Sequence, residues 1–315
     1  MDVLLILSSK LVSDEMKDLF GQIPSSLIPV NGKTLLEIIY ENNKNKYDKI
    51  VVTGKEKVEL INEVVKNKKM DIDVFEIDEL RDIGYSIYKA LENLNNQEIE
   101  NLTINFADTY YSDDLEKIKN RNSFLYAQIE ESERWATFDL DDKNFSIMEK
   151  KDLKYKEKYD VLIGIFNFIN YSNFFNILSK YVKSNFKEGD IDSFYKSIEE
   201  FYKNNSIDLS IYCKEFDEII IFEEGHYYDV HENGWIGPKI YYFQKGNIKK
   251  IINLHCVPAD VPYGTIIYFY PYTDGKIILS KGNTIFYLTQ IEKYKTGKLL
   301  RLENQKKDIQ TWSFK

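Results

Sequence analysis

The chain has 315 residues, 43% of them hydrophobic and 30% charged, an ordinary soluble composition with length for one large domain or two modest ones. A formal net charge of −9 argues against a general nucleic-acid binder, which needs a basic face, yet leaves room for a small anionic substrate in a local basic pocket. Two cysteines (Cys213 and Cys256) without a CxxC pair exclude a disulfide framework. The start MDVLLILSSK has neither the basic end nor the long apolar core of a secretory signal, and no run nears the roughly 20 apolar residues of a membrane span, so a cytoplasmic protein is expected.

Val3–Leu7 is an unbroken apolar run, as a strand buried on both faces of a parallel sheet should be. A long polar loop follows, then helical spacing over Thr34–Asn42. Lys49–Thr53 reads as a second strand, Glu56–Lys66 as a helix, Asp71–Ile77 as an alternating strand, Ile83–Leu94 as a helix and Leu102–Phe106 as a fourth strand. Such alternation predicts an α/β fold, a mixed and mostly parallel sheet flanked by helices. Phe124–Ile129, Trp135–Leu140 and Val161–Phe168 read as further strands, Asn173–Val182 and Ile191–Lys203 as helices. Beyond Gly234 the chain is β-rich, with hairpin signals QKGN, TDGK and SKGN. The loop HENGWIGPK marks the expected junction between a first domain, 1–233, and a smaller β-rich domain or extension, 234–315.

The loop after the first strand carries IPSSLIPVNGKTLLE, Ile23 to Glu37. It resembles the sugar-phosphate nucleotidyltransferases, whose Rossmann-like domain shows Pro-Lys-x-Leu-x-Pro-x-x-Gly-Lys-Pro-Leu-Leu-Glu here. Pro24, Leu27, Pro29, Gly32, Lys33, Leu35, Leu36 and Glu37 match. The resemblance can be followed from about Val3 to about Asp229, and it assigns roles to residues that alone would be ambiguous.

Asp108, in INFADTYYSDD, is delivered by an apolar strand to the carboxyl end of the sheet, where ligands bind in open α/β folds. By itself it reads equally as a turn cap or a metal ligand. The resemblance implies that it holds Mg²⁺ against nucleotide phosphates, a task that suits a hard carboxylate. Asp113 and Asp114 read as the cap of the next helix. Glu223, in IIIFEEGHYYD, stands where the family has a second metal carboxylate; Glu224, or no metal role, is the alternative. Glu149 and Lys150 resemble the family's acceptor-binding Glu-Lys, with Arg134 before them and Gly164 after, in the family's order; a charged turn leaving a strand is the plainer reading. Gly84 and Ser86 resemble the segment whose backbone approaches the nucleotide base, while Asp82 reads as a helix cap. His226 and His231 read as turn or core residues rather than a metal pair.

Two departures stand out. The family's Gly-rich loop is replaced by SSKLVSDEMKDLFGQ, which starts with Ser8 and Ser9, the implied nucleotide-binding positions, and contains the single glycine Gly21. The family's active-site lysine falls at Ser25, and a serine cannot offset charge developing in phosphoryl transfer. Lys10 and Lys17 lie on the same loop and can supply that cation instead, with Lys33 a further candidate. The resemblance implies Mg²⁺-dependent transfer of a nucleotidyl group from an NTP to a phosphorylated small-molecule acceptor, with release of pyrophosphate, in bacterial capsule or other surface-polysaccharide synthesis. CTP is the nucleotide favoured by overall look. The altered loop keeps a catalytically degenerate binding module in view, and a nucleotide-sugar glycosyltransferase is a third reading, although FADTYYSDD has no Asp-x-Asp at the strand end. A homo-oligomer is compatible with the sequence.

Overall fold

A computed structural model describes residues 1–12, 21–30, 32–94, 98–130, 132, 134–139, 145–149, 157–169, 171–184 and 191–204 with their side chains, and beyond them the backbone of strands between 218 and 314. Lys17, Lys150, Glu224, His226 and His231 lie outside the described residues, as does the side chain of Glu223.

In chain order the elements are β1 (Asp2–Ser8), β2 (Pro29–Val30), β3 (Lys33–Thr34), α1 (Leu35–Asn43), β4 (Lys49–Gly54), α2 (Val58–Lys68), β5 (Asp73–Glu76), α3 (Ile83–Asn93) and β6 (Asn101–Phe106). There follow β7 (Thr109–Tyr111), β8 (Ser123–Ile129), β9 (Ala136–Phe138), β10 (Ile147–Glu149), β11 (Tyr159–Phe168), α4 (Tyr171–Lys183) and α5 (Ser193–Asn204). The main sheet runs β10-β9-β11-β6-β1-β4-β5, with β8 on the other edge of β11. β1, β4, β5 and β6 are parallel, and β11 is antiparallel to β6. The expected mixed, mostly parallel sheet is borne out.

The apolar runs predicted this burial. Val3, Leu4, Leu5 and Ile6 are all fully buried because helices cover both faces of β1. One face packs Leu4, Ile6 and Val52 against Leu36, Ile39 and Ile61; the other packs Val3, Leu5 and Ile104 against Ile87, Leu91 and an aromatic group including Phe166, Phe174 and Phe194. The start of α1 is fixed by a capping box: Thr34 Oγ1 accepts from Glu37 N, and Glu37 Oε2 accepts from Thr34 N at 2.8 Å.

The site is opened by a change of partner along β11. Its end, Ile165–Phe168, pairs with β6, whereas Asp160 and Val161 pair with β9 on the same edge. Between them Gly164 is level with Phe106, and Leu162 and Ile163 lie just past the end of β6, next to a space beyond the carboxyl ends of β1 and β6.

The described elements further along are all strands, in keeping with the β-rich expectation: β12 (Glu218–Glu223), β13 (Tyr227–Asp229), β14 (Gly234–Ile236), β15 (Lys239–Gln244), β16 (Asn247–Asn253), β17 (Ile266–Phe269), β18 (Ile278–Lys281), β19 (Thr284–Tyr287), β20 (Lys298–Lys306) and β21 (Ile309–Phe314). A four-stranded sheet, β16-β15-β12-β7, joins strands from both sides of the 233/234 junction. Among the described residues no helix is long and apolar enough to cross a membrane.

Candidate active site

The space past β6 is a cavity of about 500 Å³ at the carboxyl ends of the parallel strands. Ser9, Lys10, Ser86, Asp108, Arg134, Glu149 and Gly164 line it, so residues scattered over more than 150 positions of sequence meet in one place. Ser8 and Gly84 sit immediately behind this lining rather than in it.

The wall built by the β1–α1 loop is held by hydroxyl groups. Ser8 Oγ donates to Ser26 Oγ at 2.7 Å and accepts from Ser26 N, while Ser9 Oγ donates to Thr53 Oγ1 at 2.9 Å. Leu11 bridges Pro24, and Val12 N donates to the Ile23 carbonyl, so the two ends of the loop are stitched together. That stitching brings Lys10 and Ser25 to the same cavity. Ser25 thus stands at the cavity without a cation, and Lys10 enters from the other end of the loop.

The opposite wall is held by charge. Asp82 caps α3, accepting from Tyr85 N at 2.7 Å, and also accepts from Ser193 N of α5 at 3.0 Å. Asp192 caps α5, accepting from Phe194 N at 2.9 Å, and also accepts from Ile83 N at 2.8 Å and Gly84 N at 3.2 Å. Each carboxylate therefore satisfies orphan donors at the starts of two helices, where the helix dipole favours negative charge. Burial and the neighbouring Asp82 charge nevertheless push the Asp192 carboxyl up to about 7, against the pull of the three backbone N–H groups. The helix starts come this close because residue 84 is glycine: a Cβ there would lie 2.1 Å from Ser193 Oγ and 2.7 Å from Phe194 N. Asp192 N in turn donates to Glu149 Oε2 at 3.3 Å, tying the implied acceptor residue to the start of α5.

Asp108 lies two residues past the end of β6 and accepts from Thr109 Oγ1 at 3.0 Å. Asp114 caps a short 3₁₀ turn, Leu115–Ile118, as expected. Across from Asp108, β12 pairs with β7 so that Ile221 faces Thr109, which carries the backbone of Glu223 toward the Asp108 end of the neighbouring strand. Among the described residues there is no group of three or more metal-ligating side chains. Asp108 is a hard carboxylate at the cavity, a donor of the kind Mg²⁺ accepts while keeping several waters. Gly164 lies under Phe106, whose Cβ would be 2.5 Å from any Cβ at position 164.

Sequence reasoning missed Asp192, Tyr195 and Arg81, all of which line the cavity. For Asp192 a signal existed: an Asp before Ser-Phe and an amphipathic run is a helix-start pattern. Nothing local marks Tyr195.

No family model matches the chain. The chain is 26% identical over 219 residues to the D-glycero-alpha-D-manno-heptose 1-phosphate guanylyltransferase of Campylobacter jejuni subsp. jejuni, covering 68% of this chain and 92% of that protein. Among solved structures it is similar to the CTP:phosphocholine cytidylyltransferase LicC of Streptococcus pneumoniae, with a TM-score of 0.51 and 18% identity over 66% of this chain and 90% of that one. The fold is therefore nucleotidyltransferase-like, and the resemblance to the sugar-phosphate nucleotidyltransferases is borne out at low identity. Both relatives are nucleotidyltransferases by name.

Proposed function

We propose that the chain is a nucleotidyltransferase that transfers NMP from an NTP to a small phosphate monoester. The observation that carries this reading is the meeting of Lys10, Asp108, Arg134 and Glu149 in one cavity at the carboxyl edge of the sheet. An acceptor phosphate oxygen attacks the α-phosphorus; the bond to the β-phosphate oxygen breaks, and pyrophosphate leaves with the electron pair. Lys10, which lines the cavity, would offset the charge gathering on the departing pyrophosphate. Ser8 and Ser9 shape the triphosphate side, and Gly84 and Ser86 the nucleotide side. Arg134, with Lys150 in the same role, binds the acceptor phosphate, while Glu149, oriented by Asp192 N, binds the acceptor's organic part. Asp108 and Glu223 would hold Mg²⁺, which when bound offsets phosphate charge and aligns the reacting oxygens. CTP is the proposed nucleotide, a cytoplasmic enzyme of capsule or surface-polysaccharide synthesis the proposed setting.

The test is pyrophosphate release with Mg²⁺, each of the four NTPs and a panel of sugar, polyol and amino-alcohol phosphates. Release that requires one NTP and one acceptor is expected. Silence across the panel overturns the reading, and nucleoside diphosphate released from a nucleotide sugar would replace it with glycosyl transfer.

A further inference from the structure

Glu149 sits on a strand that the sheet itself holds weakly. β10 is three residues long and ends the main sheet; it pairs with β9, also three residues, which meets β11 at Asp160 and Val161. A strand at a sheet edge leaves backbone donors without a ladder partner. Here a helix supplies partners along that edge. Glu199 of α5 accepts from Ile147 N, and Glu149 Oε2 accepts from Asp192 N, at the start of the same helix, at 3.3 Å. Phe145, just before β10, stacks on Tyr202 with ring centroids 4.1 Å apart. The three contacts run in opposite directions along the two segments: 149, 147 and 145 meet 192, 199 and 202. Asp192 and Glu199 are about two helical turns apart and Tyr202 about one turn further, so one face of α5 serves all three. Phe145 and Glu199 lie outside the cavity that Glu149 and Asp192 line.

We propose that Glu199 is a positioning residue for the acceptor half of the site: by holding β10 against α5, from outside the cavity, it fixes the place of the Glu149 carboxylate. The start of the same helix anchors α3 through the crossed Asp82 and Asp192 caps. α5 therefore carries the nucleotide side at its first turn and the acceptor strand along its length. Loss of the Glu199 bond acts on the second and spares the first. A group misplaced by about 1 Å can cost as much as 10²-fold in rate, so a hold this far from the chemistry is enough to set acceptor use. The inference rests on the nucleotidyl-transfer reading of the site and adds to it a residue that the cavity lining does not contain.

The test compares Glu199→Gln and Glu199→Ala with the unaltered protein, using the NTP and the phosphate monoester of the panel that together release pyrophosphate. Glu199→Ala should raise the acceptor KM about tenfold and leave the NTP KM within about twofold, and Glu199→Gln, which keeps an oxygen for Ile147 N, should recover most of the loss. Amide hydrogen exchange should quicken at Ile147–Glu149 in Glu199→Ala and stay unchanged in β1 and β6. Equal rises in both KM values, or no kinetic change, overturn the proposal and leave the transferase reading standing; exchange that quickens throughout the protein overturns it as well. If no pair in the panel turns over, the transferase reading falls and exchange decides the rest. Quickening confined to β10 then upholds the hold of Glu199 on the strand, and uniform or absent quickening overturns it.

Discussion

The two walls of the cavity are built by different physics. On the β1–α1 side, neutral hydroxyls of Ser8, Ser9, Ser26 and Thr53 bond to one another, each bond worth roughly 0.5–1.5 kcal/mol and indifferent to pH near neutrality. On the α3–α5 side, the buried carboxylate of Asp192 and the half-buried one of Asp82 each cap two helix starts, and loss of either leaves backbone donors without partners. The first arrangement holds the two described ends of the loop together without using a charge. The second allows little change, because both helices, Gly84 and Glu149 depend on it.

The harshest test of this contrast lies between the walls, at Asp108. Asp108→Ala should lower pyrophosphate release by on the order of 10²–10³-fold, a loss far larger than any change in the urea midpoint, if the proposed role toward ligand holds. Activity that survives intact would remove the proposed centre of the site. On the charged wall, Gly84→Ala must push the backbone at Phe194 away, at a cost of ~1–3 kcal/mol in a denaturant titration. On the loop wall, Lys10→Ala should lower kcat about tenfold or more, roughly 1.4 kcal/mol of barrier, with little change in stability. Ser25→Lys in that background should restore part of the rate. Failure of that rescue would mean that the two positions do not serve one charge.

The charged wall also carries a pH signature that the loop wall lacks. Asp192 is pushed up to about 7 in the folded protein, first by burial and then by Asp82. An acid with a raised folded pKa binds its proton more tightly in the native state. Its stabilisation is therefore complete below the ordinary carboxylate range near 4, and it is lost as pH rises through about 7. Urea midpoints measured from pH 4 to 8 should show this decline, and Asp192→Asn should flatten it. A decline that persists unchanged in Asp192→Asn would assign it to another group.

The parallel half of the sheet was legible because burial on both faces writes itself as unbroken apolar runs. Val3–Leu7 and Leu102–Phe106 are strands to within a residue at either end. Asp71–Ile77 is shorter than its alternation suggests, Asp73–Glu76, because it lies at the sheet edge. Asp108 could be placed by the strand that delivers it. The crossed caps could not be foreseen, since Asp192 and Ile83 are 109 residues apart and each Asp reads locally as the cap of its own helix alone. Gly84 shows the same limit: its sequence context suggests approach to a ligand, whereas the atom it makes room for is on α5. Long-range steric needs leave no periodic trace.

Glu37 gives the smallest effect and shows what a motif residue can do besides chemistry. It belongs to the segment that carries the family resemblance, yet its carboxylate caps α1 and pairs with Lys68 Nζ at 2.7 Å. Burial raises its pKa, but the bonds from Lys68 and Thr34 outweigh that, and the net shift is downward. A lowered folded pKa stabilises above the ordinary glutamate range, and that contribution disappears as pH falls through the folded value. Glu37→Gln keeps an oxygen for Thr34 N and loses the ion pair, so it should cost ~0.5–1 kcal/mol at pH 7 and progressively less once pH falls below the ordinary glutamate range. Glu37→Ala loses the cap as well and should cost ~1–2 kcal/mol at pH 7. Because Lys68 is about half exposed, salt should shrink the Gln effect and spare most of the remaining Ala effect. If instead Glu37→Gln abolishes turnover in a stably folded protein, the residue acts on the reaction, and the match to the family at this position is more than a helix start.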